Sequence, residues 1–525
     1  VTNSHFTNTT SSNDGGAIYS YGSVTVTNSH FTNTTSSNDG GAICGWDVVT
    51  VVDSSFTNTT STSGSGGAIY TMIGSVNVTD SSFTNTKSNN DGGAIYSQWS
   101  DSVTVTNSHF TNTKATSGSG GAIYGDTVVN VTNSHFTNTK ASNDGGAIYS
   151  SGSVNVTDSS FTNNSVNGNG SSIYASNILN VKNSNFNSTN VNGTAIIYIK
   201  SSNENVNLTN NIIQSNVLPI YNDGGKIISP TYLTFSNATV DVFEKANLTA
   251  LLTDDKGNII GSSTPIDGTI NGTNVTFVFN DTTRRFDGVH TPEVKGNYTI
   301  SGNYTLATKS NVTDGILTVN ALPIWINPDV DGAIYGNFSG KVTIMPVTVM
   351  PVNATGNVTI KINGTKYGQV VLSNSTGSWL FVNVTLIPSV YNVTFEYPGD
   401  GHYYANSTSI NVTIGKATVD LKGNITNNIY SDKTFLKVNV TGVNGSDLSG
   451  NLTVTINGVI VGNGTVNHDG IGEVVISGLA VGNYSAFIEY SGNNNYTKSN
   501  TTVQFNITKA NSTVTGTIAN ITYGN

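Results

Sequence analysis

Phenylalanine recurs through the first third of this chain at a nearly fixed step. It stands at Phe6, Phe31, Phe56, Phe83, Phe110, Phe136, Phe161 and Phe186, and Ile213 continues the series. The steps are 25 to 27 residues. A step of this length marks a solenoid, in which each repeat packs only on its neighbours. It is too short for the helix-pair repeats. The units also carry glycine pairs and β-branched residues, which disfavour helix and suit strands.

Other columns keep the same step. Seven and five residues before each Phe stand Val24/Val26, Val49/Val51, Val76/Val78, Val103/Val105, Val129/Val131, Val154/Val156 and Leu179/Val181. That alternation reads as a strand with one buried face. Two residues after Phe comes Asn8, Asn33, Asn58, Asn85, Asn112, Asn138 or Asn163. A Gly-Gly-Ala-Ile-Tyr run follows at 15–19, 66–70, 92–96, 120–124 and 145–149, with Cys44 replacing the Tyr at 40–44. These columns predict a right-handed parallel β-helix of about nine coils over 1–229. Each coil has two or three short strands, stacked at about 4.8 Å. Phe and Ile fill the interior, and the Asn column forms a side-chain amide ladder. Nine coils give a rod of roughly 40 Å.

The background composition narrows the class. Charged residues are 10% of the 525, against about 25% in average globular proteins, and the net charge is −10. Arg occurs only as Arg284–Arg285. A nucleic-acid binder would present a basic face, so that class is excluded. One cysteine, Cys44, rules out an intrachain disulfide and a cysteine zinc site. Its expected state is a free thiol or an attachment point. No run reaches the ~18 apolar residues of a membrane-spanning helix. There is no start Met or signal peptide, and residue 1 falls inside a repeat. The expectation is a segment of a longer secreted protein.

The paired Gly-Gly-Ala-Ile and Phe-x-x-Asn signals resemble the repeat of chlamydial polymorphic outer-membrane proteins. Here the second signal departs, reading Phe-Thr-Asn. With its Asn- and Thr-rich, Arg-poor background, the chain is still more similar to the adhesin-like proteins of methanogenic archaea. The resemblance covers residues 1 to about 229. It implies the architecture and an adhesive role, and leaves the ligand open.

After Pro230 the step stops. Alternating apolar runs separated by Asn-Gly, Asp-Gly and Gly-Asn turns predict antiparallel sandwiches. A longer repeat appears. Tyr391 to Tyr397 with Gly399-Asp400 and Tyr404 aligns with Tyr484 to Tyr490 with Gly492-Asn493 and Tyr496. The unit is about 93 residues, the size of an immunoglobulin sandwich. The pattern resembles bacterial-type Ig-like repeats of surface adhesins. The predicted domains are 230–320 (a divergent Ig-like unit), 321–415 and 416–508. Residues 509–525 start a further unit, in which Tyr523-Gly524-Asn525 echoes Tyr335-Gly336-Asn337. Limited proteolysis is expected near 229–232, 320–324, 415 and 508.

The β-helix fold also houses polysaccharide lyases and hydrolases. Those need a basic residue among acidic Ca²⁺ ligands, or converging carboxylates. Residues 1–229 have no Arg, and Glu204 is the single Glu, while Asp47, Asp101 and Asp126 are scattered. The expectation is no enzyme and no cofactor. Ca²⁺ is the one ion that the acidic turns Asp14, Asp39, Asp91 and Asp144 admit. These alternate with Ser65 and Ser119, and Asp before Gly-Gly is ordinary turn chemistry.

His5, His30, His109 and His135 precede Phe and are expected to point outward, interchangeably with Ser55, Ser82 and Ser160. Glu396 and Glu489 are also expected to face out, against a buried isopeptide site. Asn-x-Ser/Thr sequons recur throughout, as acceptors for N-glycans on exposed loops. The outward column Tyr70, Tyr96, Tyr124 and Tyr149 is the candidate binding strip, since aromatic rings suit sugar rings; the same stacking also serves a sheet structurally. The reading is an extracellular, cell-surface adhesin-like protein that meets glycans or proteins of another cell, with self-association a further expectation. The alternatives are a self-assembling structural fibre or cell-wall component, and a polysaccharide lyase or hydrolase.

Overall fold

The computed structural model describes residues 1–99, 101–347, 352–382, 385–425, 429–430 and 433–517. The Tyr523 echo lies outside the described residues. The chain forms two compact units, Val1–Asn320 and Ala321–Asn525.

The first unit opens with a parallel β-helix. The Phe strands make a nine-stranded sheet from His5–Thr7 to Ile212–Ser215, all parallel and in register. The Val strands make a second nine-stranded sheet, from Val24–Thr27 to Lys226–Ile227. The Ile-Tyr strands make a third, beginning at Ile18–Ser20. Two-residue strands from Thr10–Ser11 to Lys114–Ala115 add a short fourth sheet that the residue pattern did not predict.

Phe31 to Phe186 are fully buried, and Phe6, with one ring neighbour, is half-buried. Successive rings stack with centroids 4.7–4.9 Å apart and planes within 1–7°. The Val pairs and Ile43 to Ile173 close the same core.

The corners explain the polar columns. Asn8 through Asn163 sit at φ 51–57°, the left-handed region that Asn tolerates best among side-chain-bearing residues. The preceding corner holds Asn3, Asn28, Asp53, Asp80, Asn107, Asn133, Asp158, Asn183 and Asn210 at φ 45–58°. The first Gly of each pair, from Gly15 to Gly145, also has positive φ, 57–65°, as does Gly170 before Ser171. The second is needed for another reason: a Cβ on Gly41 or Gly93 would stand 2.1 or 2.0 Å from the next coil's carbonyl oxygen.

The predicted amide ladder forms. Each Nδ2 donates to the preceding Asn Oδ1, through Asn33, Asn58, Asn85, Asn112 and Asn138, at 3.0–3.3 Å. It lies on the outside, because the left-handed corner turns these side chains to solvent. The interior ladder is made of serine. Ser29, Ser54, Ser81, Ser108, Ser134, Ser159 and Ser184 are buried. Each Oγ accepts the amide of the preceding coil's Ser at 3.0–3.2 Å and donates to the carbonyl two residues earlier at 2.7–2.8 Å. Backbone amides that turn inward at a corner are thereby satisfied.

The sandwich after Pro230 closes the far end of the helix. Ile260–Ser262 adds a tenth, parallel strand to the Ile-Tyr sheet, pairing with Leu218–Asp223. Asp255 accepts the Asn210 amide at 2.9 Å, and buried Asn258 donates to the Asn211 carbonyl at 2.8 Å. Tyr304 Oη accepts from Asn222 Nδ2 at 2.9 Å and donates to Ser262 at 2.8 Å. The Ile227 amide bonds the Leu306 carbonyl, and the Thr308 amide returns to Ile227. This covers an edge that would otherwise template association. Residues 229–232 are therefore not the open linker that proteolysis there requires: Ser229 and Thr231 are buried and hydrogen-bonded.

The second unit holds two sandwiches with separate cores, one built on strands such as Asn357–Ile362 and Ser389–Tyr397, the other on Gly450–Ile456 and Gly482–Tyr490. One detail of the repeat is corrected. The counterpart of Tyr496 is Tyr403, not Tyr404. Tyr403 and Tyr496 are fully buried, and each amide is held by the Asp400 or Asn493 side chain three residues earlier. Tyr404 points outward. The two sandwiches are joined by a plug. Tyr335, at the tip between Ile324–Ile334 and Asn337–Pro346, is buried in the next sandwich's core and meets Tyr496 edge-on at 5.5 Å. Its amide bonds the Gly415 carbonyl at 2.8 Å.

Candidate functional site

The Tyr column is placed by the Gly-Gly-Ala-Ile run, which turns Ile inward and the next residue to the opposite side of the strand, but the column is not the open outward strip expected, because neighbouring rings and turns cover much of it. Tyr70, Tyr96, Tyr124 and Tyr149 stack face to face, with centroids 4.7–5.4 Å apart, and the stack runs on through Tyr174, Tyr198 and Tyr221. Stacking turns the ring faces toward one another, so the column presents edges and hydroxyls. Tyr70 is buried and the next three are half-buried. Tyr70 Oη donates to Gln98, and Tyr124 Oη lies 3.4 Å from Ser151. Burial pushes the Tyr124 phenol up to about 12 and raises Tyr70 and Tyr96 as well, so these hydroxyls stay neutral donors.

Cys44 occupies the same column between Tyr19 and Tyr70. It is buried, which pushes its thiol up to about 12, with Asp14 and Asp39 adding to the shift. This is not an exposed attachment point.

Free ring faces appear on the corner that follows the Tyr strands, in the early coils. Tyr21 is 74% exposed, Ile73 57% and Trp99 68%. Tyr21 contacts both Tyr19 and Trp46 at 5.3 Å, and Trp46 Nε1 donates to Tyr19 Oη at 3.0 Å. The Trp46 amide bonds the Ser20 carbonyl and the Ile73 amide the Trp46 carbonyl, so these turns stack coil upon coil. Trp99 has φ +44° and its amide is held by Asp126 at 3.1 Å. This corner leaves no column in the sequence, because its residues do not repeat; its one trace is two of the chain's four Trp in turns of one phase.

The remaining candidates are placed as follows. His5 stacks on His30, and His109 lies tilted by 36° against His135, each pair with centroids 4.8 Å apart and exposed. His30 and His135 bond Ser55 and Ser160 through Nδ1. Asp39, Asp91 and Asp144 each accept the amide of the residue one coil on, at 2.7 Å. Their carboxylates thus serve the backbone at the turns. Asp47 bonds Ser23 at 2.7 Å, and Asp101 and Asp126 lie on neighbouring turns. Glu396 faces outward and pairs with Lys361 at 2.6 Å. Glu396 also lines an open cleft of about 770 Å³ on the outer sheet face of 321–415, with Asn357, Thr359, Gln369, Asn406 and Ser407.

No protein-family profile matches the chain, and no curated protein matches it. Among solved structures, the Escherichia coli adhesin FdeC is 11% identical, aligning over 54% of this chain and 97% of its own, with a TM-score of 0.21. The Yersinia pseudotuberculosis adhesin InvE is 14% identical over 39% of this chain and 66% of its own, TM-score 0.26. A three-Ig fragment of titin is 9% identical over 54% of this chain and 100% of its own, TM-score 0.26. Scores this low carry no weight for function. The architecture stands on the strand pairings: a parallel β-helix followed by Ig-like sandwiches.

Proposed function

We infer that this is a non-enzymatic, extracellular attachment protein of the cell surface. The observation that carries the reading is repetition: successive coils present the same outward residues in register, His or Ser, Asn and Tyr. A catalytic centre is built from unlike residues converging on one point. A repeated face instead makes many similar contacts, and weak contacts gain strength by number. The aromatic strip of Tyr70, Tyr96, Tyr124 and Tyr149 borders the face that meets glycans or proteins of another cell. The first sandwich caps the helix, and the next two form a plugged tandem. The resemblance of the repeat to adhesin-like proteins agrees with this role. The carboxylates of the Gly-Gly turns bond the backbone, which supports a structural use for them.

A glycan array probed with the labelled full chain tests the reading. Binding to surface glycans without their cleavage is expected. Oligomer growth with no glycan or cell binding would favour the structural fibre, and release of shortened chains would favour an enzyme.

A further inference from the structure

The aromatic corner of the first four coils stands outside the buried core, with Tyr21 and Trp99 exposed and Trp46 half-buried against Tyr19 and Tyr21. Elsewhere on the helix the same corner is made of small polar residues: Ser151-Gly152 follows Tyr149-Ser150, and Ser176-Asn177 follows Tyr174-Ala175. In the early coils it carries Tyr21, Trp46, Ile73 and Trp99. None belongs to the buried core. Trp99 is held at φ +44°, a conformation that bulky side chains rarely adopt and that costs of order 1–3 kcal/mol. The Asp126 carboxylate, one coil on, fixes its amide there. The surrounding fold thus holds an unfavourable backbone at a residue whose indole is 68% exposed.

The electrostatics narrow what such a surface takes. Residues 1–86 contain no Lys or Arg. Asp47 and Asp126 flank the rings, Asp47 accepting from Ser23. Anionic polymers are repelled by this corner. A neutral sugar is suited to it: the apolar face of a pyranose lies on an indole or phenol, while its hydroxyls donate to carboxylates and to Tyr19 Oη. Trp46 and Trp99 belong to coils two steps apart, about 10 Å at the inter-strand spacing, a separation that two linked pyranose rings span. The half-buried Tyr stack alongside leaves only edges and hydroxyls.

We propose that Trp46 with Tyr21, and Trp99, form two stacking platforms of one binding site for neutral hexopyranose chains. The proposal rests on the attachment reading and gives it a location and a ligand class.

The test is titration of the full chain with neutral hexasaccharides (gluco-, manno- and galacto-configured) and with an oligogalacturonate, read by calorimetry and Trp fluorescence. At least one neutral hexasaccharide is expected to bind, with the oligogalacturonate silent. Trp46→Ala and Trp99→Ala should each weaken binding roughly three- to tenfold. Trp325→Ala, on an exposed Trp of the second unit, should leave it unchanged. Trp99→Gly separates binding from folding. It should weaken binding while keeping or raising the melting temperature, because Gly relieves the positive φ. The proposal is overturned if neutral sugars show no Trp99-dependent binding, if the acidic polymer binds better, or if Trp99→Ala acts only by breaking self-association in sedimentation. Adhesion of the same preparations to cells, measured in parallel, shows whether attachment survives the loss of this site.

Discussion

Phe110→Ala removes one ring from the middle of a continuous stack. Phe110 is fully buried and lies 4.8 Å from both Phe83 and Phe136, with planes 1° and 2° apart. A Phe buries about 150–250 Å². At about 25 cal/mol/Å² the part lost on truncation is worth roughly 3 kcal/mol. Two stacked pairs add about 0.5–1.5 kcal/mol each. The coil spacing is set by backbone hydrogen bonds on three sides, so the walls cannot collapse into the void. The expected cost is about 4–5 kcal/mol, at the upper end for Phe→Ala. Phe6 is half-buried with a single ring neighbour, so Phe6→Ala should cost about half as much. Hydrogen exchange by mass spectrometry, on peptides covering residues 100–120 across a urea series, reads the loss locally. A cost below about 1 kcal/mol, or one equal to that of Phe6→Ala, would refute a stacked core in which each ring depends on both neighbours.

Other consequences can be checked the same way. Ser108→Ala deletes a hydroxyl that accepts the Ser81 amide and bonds the Thr106 carbonyl, leaving a buried amide unpaired; a loss of about 1–3 kcal/mol is expected in urea melts. Tyr335→Ala withdraws the plug from the neighbouring sandwich, so the melts of 321–415 and 416–508, coupled in the parent chain, should separate in calorimetry. Acid should act on the two units in opposite senses. Burial raises Asp39 and Asp91, so their contribution to stability is full below the ordinary carboxylate value of about 3.9 and lost as pH rises through their raised folded values. For Asp400, burial also raises, but hydrogen bonds from the His402, Thr355 and Tyr403 amides outweigh it. Its contribution is present above about 3.9 and lost as pH falls through the lowered folded value. Melting followed by exchange from pH 6 to pH 3 should therefore show 321–415 weakening while coils around Asp39 and Asp91 hold.

The Phe, Val and Ile columns were legible because residue identity alone reports position in a stack. The Asn column was legible too, but its side was not: the left-handed corner that suits Asn also turns it outward. The serine ladder was equally regular, two residues before every Phe, yet Ser is so common here that its phase, not its presence, was the signal. The fusion of the first sandwich to the helix was hidden, because Ile260–Ser262 pairs in parallel with a strand some forty residues earlier and leaves no periodic trace. Adjacent tyrosines at 403 and 404 let the repeat be aligned either way until burial chose between them. For the candidate site, the period placed the Tyr rings on one line but did not show that stacking would occupy their faces. The Trp corner was not legible in the period because it belongs to no column.

The most direct test of the central claim is adhesion of beads carrying the full chain at graded surface densities to glycan-coated surfaces, with reducing ends assayed in the same wells. The account predicts adhesion that rises more steeply than density, falls by degrees when Tyr96 and Tyr124 are changed to Ser, and releases no reducing ends. Adhesion linear in density and abolished by one substitution, or reducing ends that accumulate with time and vanish when a single Asp or Glu is changed, would contradict it.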